Sequence, residues 1–223
     1  MDKKLLRDGV IKYLAGVILV GMLLFLPAGT LKWTGGWMFM GALFIPMLVM
    51  GIVMYIKAPE LLRSRLNSRE KQGDQKKVVG LGGLMFIAAF ITAGLNRRFG
   101  WMETSDGISA AACAVFLIAY AMYAEVLREN EYLSRTIQVK EGQKVVDTGM
   151  YSVVRHPMYC VTMLMFLTIP VILGSPVSLG IMLLYIPIIV KRILGEEKVL
   201  ERELEGYTEY EQKVRHRLLP MIW

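Results

Sequence analysis

Long apolar runs without a formal charge dominate the pattern of residues along this chain. Four of them span residues 13–31, 33–56, 78–96 and 107–124, and each is about 20 residues long. A helix of that length crosses the hydrocarbon layer of a bilayer, which is about 30 Å thick. Each run therefore predicts one membrane-spanning helix, and so many such runs are not expected in a soluble protein of 223 residues.

A fifth charge-free run, residues 156–190, is too long for one crossing and is divided by Gly174, Ser175 and Pro176. This tripeptide is typical of a turn, and Pro157 suits the first turn of a helix. We therefore predict a short helical hairpin over residues 157–190. The predicted fold is an all-α integral membrane protein with about six helices crossing or entering the bilayer, four full spans plus the hairpin.

The predicted spans divide the chain into two parts. Residues 1–127 form a four-span membrane scaffold. Small residues at the start of its third span, Gly80, Gly82 and Gly83, predict close helix packing there. Residues 128–223 contain a polar loop, the hairpin, a charged cytoplasmic helix and a tail, and we assign the chemistry to this part.

The basic residues are strongly segregated along the chain. Net charge is +7, and all of the 26 Lys and Arg residues except Lys32, Arg97 and Arg98 fall in alternate connections or at the termini. This is the positive-inside pattern, which predicts that the N- and C-termini are cytoplasmic. Membrane topology and attraction to anionic lipids account for the charge, so no nucleic-acid partner is predicted.

Metal chemistry is not expected. The chain has two histidines and two cysteines, and Cys113 and Cys160 lie in apolar runs without a second ligand nearby in sequence. A zinc site uses three or four such ligands, so we predict no metal.

The candidate chemistry lies at the two ends of the predicted hairpin. Residues 155–159 read Arg-His-Pro-Met-Tyr, and the far end carries Arg192, Glu196 and Glu197. Because a hairpin returns to the side on which it began, these groups are expected to meet. Polar groups clustered beside a membrane cavity tend to be functional.

These residues belong to a longer pattern across residues 131–223, which resembles the isoprenylcysteine carboxyl methyltransferase family and its phospholipid-methyltransferase relatives. The shared positions are Gln138, Gly149, Tyr151, Arg155, His156, Pro157, Tyr159, Arg192, Glu196, Glu197, Tyr207, Tyr210 and Pro220. The resemblance implies an enzyme that uses S-adenosylmethionine, with the cofactor site built by the C-terminal part of the chain.

The resemblance also implies roles for individual residues. Arg155 and Arg192 are expected to face the substrate, and Glu197 completes the predicted catalytic group. The expected cofactor-binding residues are Gln138, Gly149, Tyr151, His156, Pro157, Tyr159 and Glu197. After Tyr159, eukaryotic members of the family usually have Gly-Trp, whereas this chain has Cys160 and Val161, which leaves the lipid part of the substrate open.

Methyl transfer to a carboxylate fits this residue set. A carboxylate is ionised at neutral pH and needs no general base, whereas it does need a cation to hold it, for which arginine is well suited. The predicted function is therefore carboxyl O-methylation of an isoprenylcysteine-like or other lipidic carboxylate. We expect the location to be the cytoplasmic membrane of a bacterium or archaeon.

Other functions stay open at this stage. N-methylation of a phospholipid amine headgroup would require a base and an anionic site, and two arginines argue mildly against it. A sterol-type reductase would need a longer chain. A non-enzymatic transporter or scaffold would place polar residues within the spans, and the first four runs contain almost none.

Overall fold

The computed structural model describes residues 2–66, 73–134 and 136–223. Helices account for most of these residues, and there is no β-strand among them. The helices are α1 (Lys3–Ala28), α2 (Thr34–Lys57), α3 (Pro59–Leu66), α4 (Gly73–Phe99), α5 (Asp106–Glu129), α6 (Pro157–Ile172), α7 (Pro176–Met182), α8 (Tyr185–Glu203) and α9 (Tyr207–Lys213). The all-helical prediction is confirmed.

The four predicted spans correspond to α1, α2, α4 and α5, each long and apolar enough to cross a membrane. The two ends of α1 are defined by local capping residues. Asp2 caps α1 by accepting hydrogen bonds from the amides of Lys4 and Leu5 at 3.0 and 3.1 Å, and Gly29 ends α1 with a left-handed φ of 65°. Many large apolar side chains on these helices are exposed, as expected for surfaces that face lipid.

The hairpin forms at the predicted place, but its arms are unequal. The first arm is α6, with 16 residues. The second arm runs for 28 residues from Pro176 to Glu203 as α7 and α8, and it is itself long enough to cross a membrane. Gly174 makes the turn with a φ of 69°, and Ser175 caps α7 at the amide of Ser178. The second arm is longer than predicted because the helix continues through the charged residues beyond the apolar run.

The core lies where the hairpin packs against the four spans. α5 packs along α6, while α4 packs against α1, α7 and α8. A Cβ at Gly94 would lie 2.6 Å from the carbonyl oxygen of Leu24, so α1 and α4 approach closely because this residue has no side chain. The prediction of close packing at Gly80, Gly82 and Gly83 is wrong, since a Cβ on any of them would meet nothing within 4 Å.

The chain after α9 returns to the start of the hairpin. The amide of Arg155 donates to the carbonyl of His216, and the amide of His156 donates to that of Arg217, both at 2.9 Å. These bonds hold the C-terminal tail across the N-terminus of α6. The two amides that precede α6 are thus paired with carbonyl groups of the chain's own tail.

Candidate active site

A buried carboxylate, Glu197, lies at the centre of the residues that the hairpin brings together. Its side chain is 3% exposed and comes from α8, opposite the start of α6. One oxygen, Oε1, accepts from Nε of Arg155 at 2.9 Å and lies 3.2 Å from Nε2 of His156. The other, Oε2, accepts from Nε of Arg217 in the tail at 2.7 Å. Glu197 therefore ties three segments of the chain together.

Arg155 is enclosed by acceptors. Besides the contact with Glu197, its Nη1 donates to the carbonyl oxygens of Val214 and Arg215 at 3.1 and 3.4 Å, and its Nη2 lies 3.4 Å from the carboxylate of Glu211. A buried guanidinium is stable only when it is paired in this way. These contacts direct the Arg155 side chain towards the protein's own carboxylates and tail.

A second polar group forms around the hydroxyl of Tyr159 on α6. This hydroxyl donates to Glu196, and it accepts from Nε of Arg192 at 3.1 Å. Arg192 and Glu196 are one helical turn apart on α8, so one hydroxyl contacts both. The Tyr159 ring also stacks on His156, with the ring centroids 5.7 Å apart, which links the two polar groups.

A cavity of about 620 Å³ extends from these groups into the helix bundle. Its apolar wall includes Leu43, Met47 and Phe166, which belong to helices α2 and α6, together with Gly82 of α4. Arg192, Tyr159 and Glu196 also line the cavity. The other wall is built by the loop after α5 and by α8 and α9, and includes Gln138, Val145, Tyr151, Leu200, Leu204, Tyr207 and Tyr210.

The tyrosines of this second wall are buried. Burial raises the pKa of Tyr151, Tyr207 and Tyr210 above the usual range, so their hydroxyls stay protonated at neutral pH. Tyr151 accepts from Nδ2 of Asn130 at 3.1 Å, and Tyr210 donates to the carbonyl oxygen of Tyr151 at 2.7 Å.

The structure separates the predicted site residues into two sets. Those that line the cavity are Gln138, Tyr151, Arg155, His156, Tyr159 and Arg192. Within the described part of the chain, the cavity lining does not include Gly149, Pro157 or Glu197. Pro157 begins α6, and Glu197 pairs with Arg155 and Arg217. These residues therefore support the residues of the cavity wall without lining the cavity themselves.

Gly149 supports the wall through a close contact with Glu129. Its φ is +50°, and a Cβ there would lie 1.3 Å from Oε1 of Glu129. The same carboxylate accepts from the amide of Met150 at 3.1 Å, which fixes the short 3₁₀ helix Gly149–Ser152. With the Glu129 carboxylate in this place, a side chain at position 149 would displace it.

The scaffold also supplies cavity residues that the sequence did not single out. Arg65 of α3 lines the cavity, hydrogen-bonds to the hydroxyl of Tyr123 on α5 and lies 5.7 Å from the centroid of that ring. In sequence, Arg65 was one of many basic residues explained by topology. A mixed apolar and basic helix beside an aromatic span end is the only signal that could have pointed to it.

Comparison with known proteins places this site in a family context. Residues 105–205 match the model of the phospholipid methyltransferase family. The chain also shares its fold with the eukaryotic intramembrane Ras methyltransferase ICMT (isoprenylcysteine carboxyl methyltransferase). That alignment has a TM-score of 0.57 and 17% sequence identity, and covers 92% of this chain and 74% of that one. Comparison with curated proteins gave no match.

The predicted family resemblance is confirmed. At this identity the structural match establishes the fold, which is that of an integral membrane protein. Together with the family match over α5 to α8, it supports a membrane methyltransferase. The cytoplasmic placement of the termini stays a prediction.

The residues of the cavity fit a bound S-adenosylmethionine. Sites for molecules of this class occupy roughly 300–1,000 Å³, and this cavity lies within that range. Its tyrosine-rich wall suits a flat heterocycle, and the buried hydroxyl of Tyr207 has no hydrogen-bond partner among the described residues. The described residues contain no group of three or more metal-ligating side chains.

Proposed function

We propose that this protein is an S-adenosylmethionine-dependent methyltransferase that esterifies the carboxylate of a lipidic acceptor, with an isoprenylcysteine-like carboxylate as the first candidate. One observation carries the proposal. A guanidinium, Arg192, is held by Tyr159 in the lining of a cavity that combines apolar side chains of α2 and α6 with the tyrosines of α9 and of the loop after α5. Such a cavity suits a lipidic carboxylic acid against its apolar residues and a nucleoside cofactor against its tyrosines.

The cofactor, when bound, supplies a methyl group activated by a positively charged sulfur, and that sulfur leaves as a neutral thioether when the acceptor attacks the methyl carbon in line. Arg192 binds the acceptor carboxylate, and the hydroxyl of Tyr159 fixes the direction of its guanidinium. Because a carboxylate is already ionised at neutral pH, no side chain has to remove a proton. Positioning alone can contribute roughly 7–11 kcal/mol to such a reaction.

Glu197 and Arg155 serve this site as positioning residues. Glu197 joins α8 to the start of α6 and to the tail through Arg155, His156 and Arg217. This network holds His156 and Tyr159 in the cavity wall. We propose that Gln138 and Tyr151 bind the cofactor directly, and that Gly149 and Pro157 set the backbone around it.

A second candidate is N-methylation of a phospholipid amine headgroup. It is favoured by Glu196, whose carboxylate lines the cavity beside Arg192, because an amine acceptor has to lose a proton and benefits from a nearby anion. The match to the phospholipid methyltransferase family also points this way.

The two functions are separated by the acceptor. The purified full-length protein in lipid nanodiscs would be incubated with methyl-labelled S-adenosylmethionine and one of three acceptors: N-acetyl-S-farnesylcysteine, its carboxamide, or phosphatidylethanolamine. We expect base-labile label on the farnesylcysteine acid and none on the carboxamide, which lacks the ionised oxygen. Label on phosphatidylethanolamine alone would establish N-methylation instead and overturn the esterification proposal.

A further inference from the structure

Tyr207 is a buried residue whose polar group the fold leaves unused. It opens α9 directly after Gly206, which has a left-handed φ of 82°. Its side chain is 4% exposed and packs in a small apolar cluster with Leu204, Tyr210 and Val145. Within the described part of the chain, its hydroxyl oxygen is buried and has no hydrogen-bond partner.

An unpaired buried hydroxyl is costly. Leaving one without a partner costs about 1–3 kcal/mol relative to its hydration in the unfolded chain. Packing alone does not require this hydroxyl, since phenylalanine would fill the same apolar cluster without the penalty. A buried polar group of this kind therefore needs an explanation such as a bound molecule.

Tyr210, one helical turn later, shows the contrast. It is 5% exposed, and its hydroxyl donates to the carbonyl oxygen of Tyr151 at 2.7 Å. Both tyrosines line the same cavity, so two similar residues differ in one respect. The hydroxyl of Tyr210 is used within the protein, and that of Tyr207 is not.

The surroundings of Tyr207 define what it can bind. Burial raises the pKa of its hydroxyl, and the carboxylates of Glu197 and Glu211 add to this effect. The group therefore keeps its proton and can donate as well as accept a hydrogen bond. Leu200, Val145 and Tyr151 line the same wall, which makes this part of the cavity a place for a flat or apolar group with a polar edge.

We propose that the hydroxyl of Tyr207 hydrogen-bonds to the bound methyl donor, which makes it a cofactor-binding residue. This inference rests on the proposed function and assigns a contact to one more residue of the same site. Under the proposed function the acceptor carboxylate binds Arg192, so loss of the Tyr207 hydroxyl is expected to weaken cofactor binding and to leave acceptor binding unchanged.

The test compares Tyr207→Phe with Tyr210→Phe in the full-length protein in nanodiscs. Affinity for S-adenosylhomocysteine, the product form of the cofactor, is measured by isothermal titration, and ligand-free stability is measured by thermal unfolding. We expect Tyr207→Phe to weaken binding about 3- to 10-fold, as the loss of one hydrogen bond does. Its ligand-free melting temperature should equal or exceed that of the wild type, whereas Tyr210→Phe should melt lower.

Further measurements make each outcome decisive. The KM for the lipidic acceptor should not change in Tyr207→Phe at saturating cofactor. Weaker binding of 5′-methylthioadenosine as well would place the contact on the nucleoside, and an effect on S-adenosylhomocysteine alone would place it on the amino-acid part; both support the proposal. Unchanged affinity in Tyr207→Phe, or ligand-free destabilisation equal to that of Tyr210→Phe, would overturn it. A wild type that binds none of these ligands would overturn the proposed function as well.

Discussion

Arg155 and Glu197 form a buried ion pair that joins the two arms of the hairpin. Nε and Nη2 of Arg155 lie 2.9 and 2.8 Å from Oε1 of Glu197. The two residues are 42 positions apart in sequence and almost fully shielded from solvent. A contact of this kind constrains the fold and the site together.

Replacing Glu197 with alanine should destabilise the protein. Arg155 would keep its buried charge without its main partner, and breaking a buried pair in this way costs about 3–5 kcal/mol. We expect a clearly lower melting temperature in detergent and loss of cofactor binding.

The matched control is Glu201→Ala. Glu201 is exposed on the same helix, so this change should leave both quantities near those of the wild type. A Glu197→Ala protein that melts like the wild type but is inactive would contradict the positioning role and assign Glu197 a direct contact with a ligand.

Replacing Gly149 with alanine should disturb the cavity wall through Glu129. The new Cβ would lie 1.3 Å from Oε1 of Glu129, so the carboxylate has to move and its bond to the amide of Met150 is lost. Gly142→Ala is the control, because Gly142 also has a left-handed φ, 70°, but open space around it. It should show only the backbone strain, about 1–2 kcal/mol, and Gly149→Ala should show more.

A double-mutant cycle isolates the steric part of this effect. In a Glu129→Ala background, Gly149→Ala should lower the melting temperature about as little as Gly142→Ala does, because the clashing carboxylate is absent. Equal effects of Gly149→Ala with and without Glu129 would show that the close contact is unimportant.

The spans and the hairpin could be predicted because each follows from a local pattern. An apolar run of the right length forms a helix whatever its partners are, and Gly174 marks the turn between two runs. The helix ends were less predictable. The charged helix was predicted to follow the hairpin, but in α8 it is continuous with the end of the apolar run and reaches Glu203.

The site could be predicted only where its residues share a motif. Arg155 and Arg192 were placed together because a hairpin returns its ends to one side. The contribution of Arg65 was not predictable, since it depends on packing of α3 against Tyr123, 58 positions away. The division at residue 127 stays a prediction, and Arg65 shows that the scaffold helps to form the cavity.

The orientation in the membrane is a prediction with a direct chemical test. Single cysteines at Lys3, Lys32 and Gln212, in a chain with both native cysteines replaced by alanine, would be labelled in intact cells with a membrane-impermeant maleimide. All three positions are exposed. The charge pattern predicts labelling at residue 32 alone. Labelling at 3 and 212 with protection at 32 would show that the topology is inverted.

Arg192 is expected to contribute to binding of the acceptor and not to binding of the cofactor. If its guanidinium holds the acceptor carboxylate, Arg192→Ala should lower kcat/KM for farnesylcysteine acid about 10- to 100-fold, which corresponds to the loss of charged hydrogen bonds. Arg192→Lys should fall between this variant and the wild type, because a lysine keeps the charge but lacks the planar fork. Affinity for S-adenosylhomocysteine should remain within about threefold of the wild type in both variants, a shift smaller than the loss of one ordinary hydrogen bond produces.

Arg202→Ala provides the control for this series, because Arg202 lies on the same helix with its side chain 70% exposed. It should leave kcat/KM unchanged, which separates the loss of a particular contact from the loss of one positive charge on α8. Because Arg192 lies beside Tyr159, an expected cofactor-binding residue, the alternative role for Arg192 is to bind the methyl donor. If Arg192→Ala lost cofactor affinity in proportion to activity, its guanidinium would hold the methyl donor, and the acceptor carboxylate would need another cation. Arg65, which lines the same cavity, would then be the residue to change next.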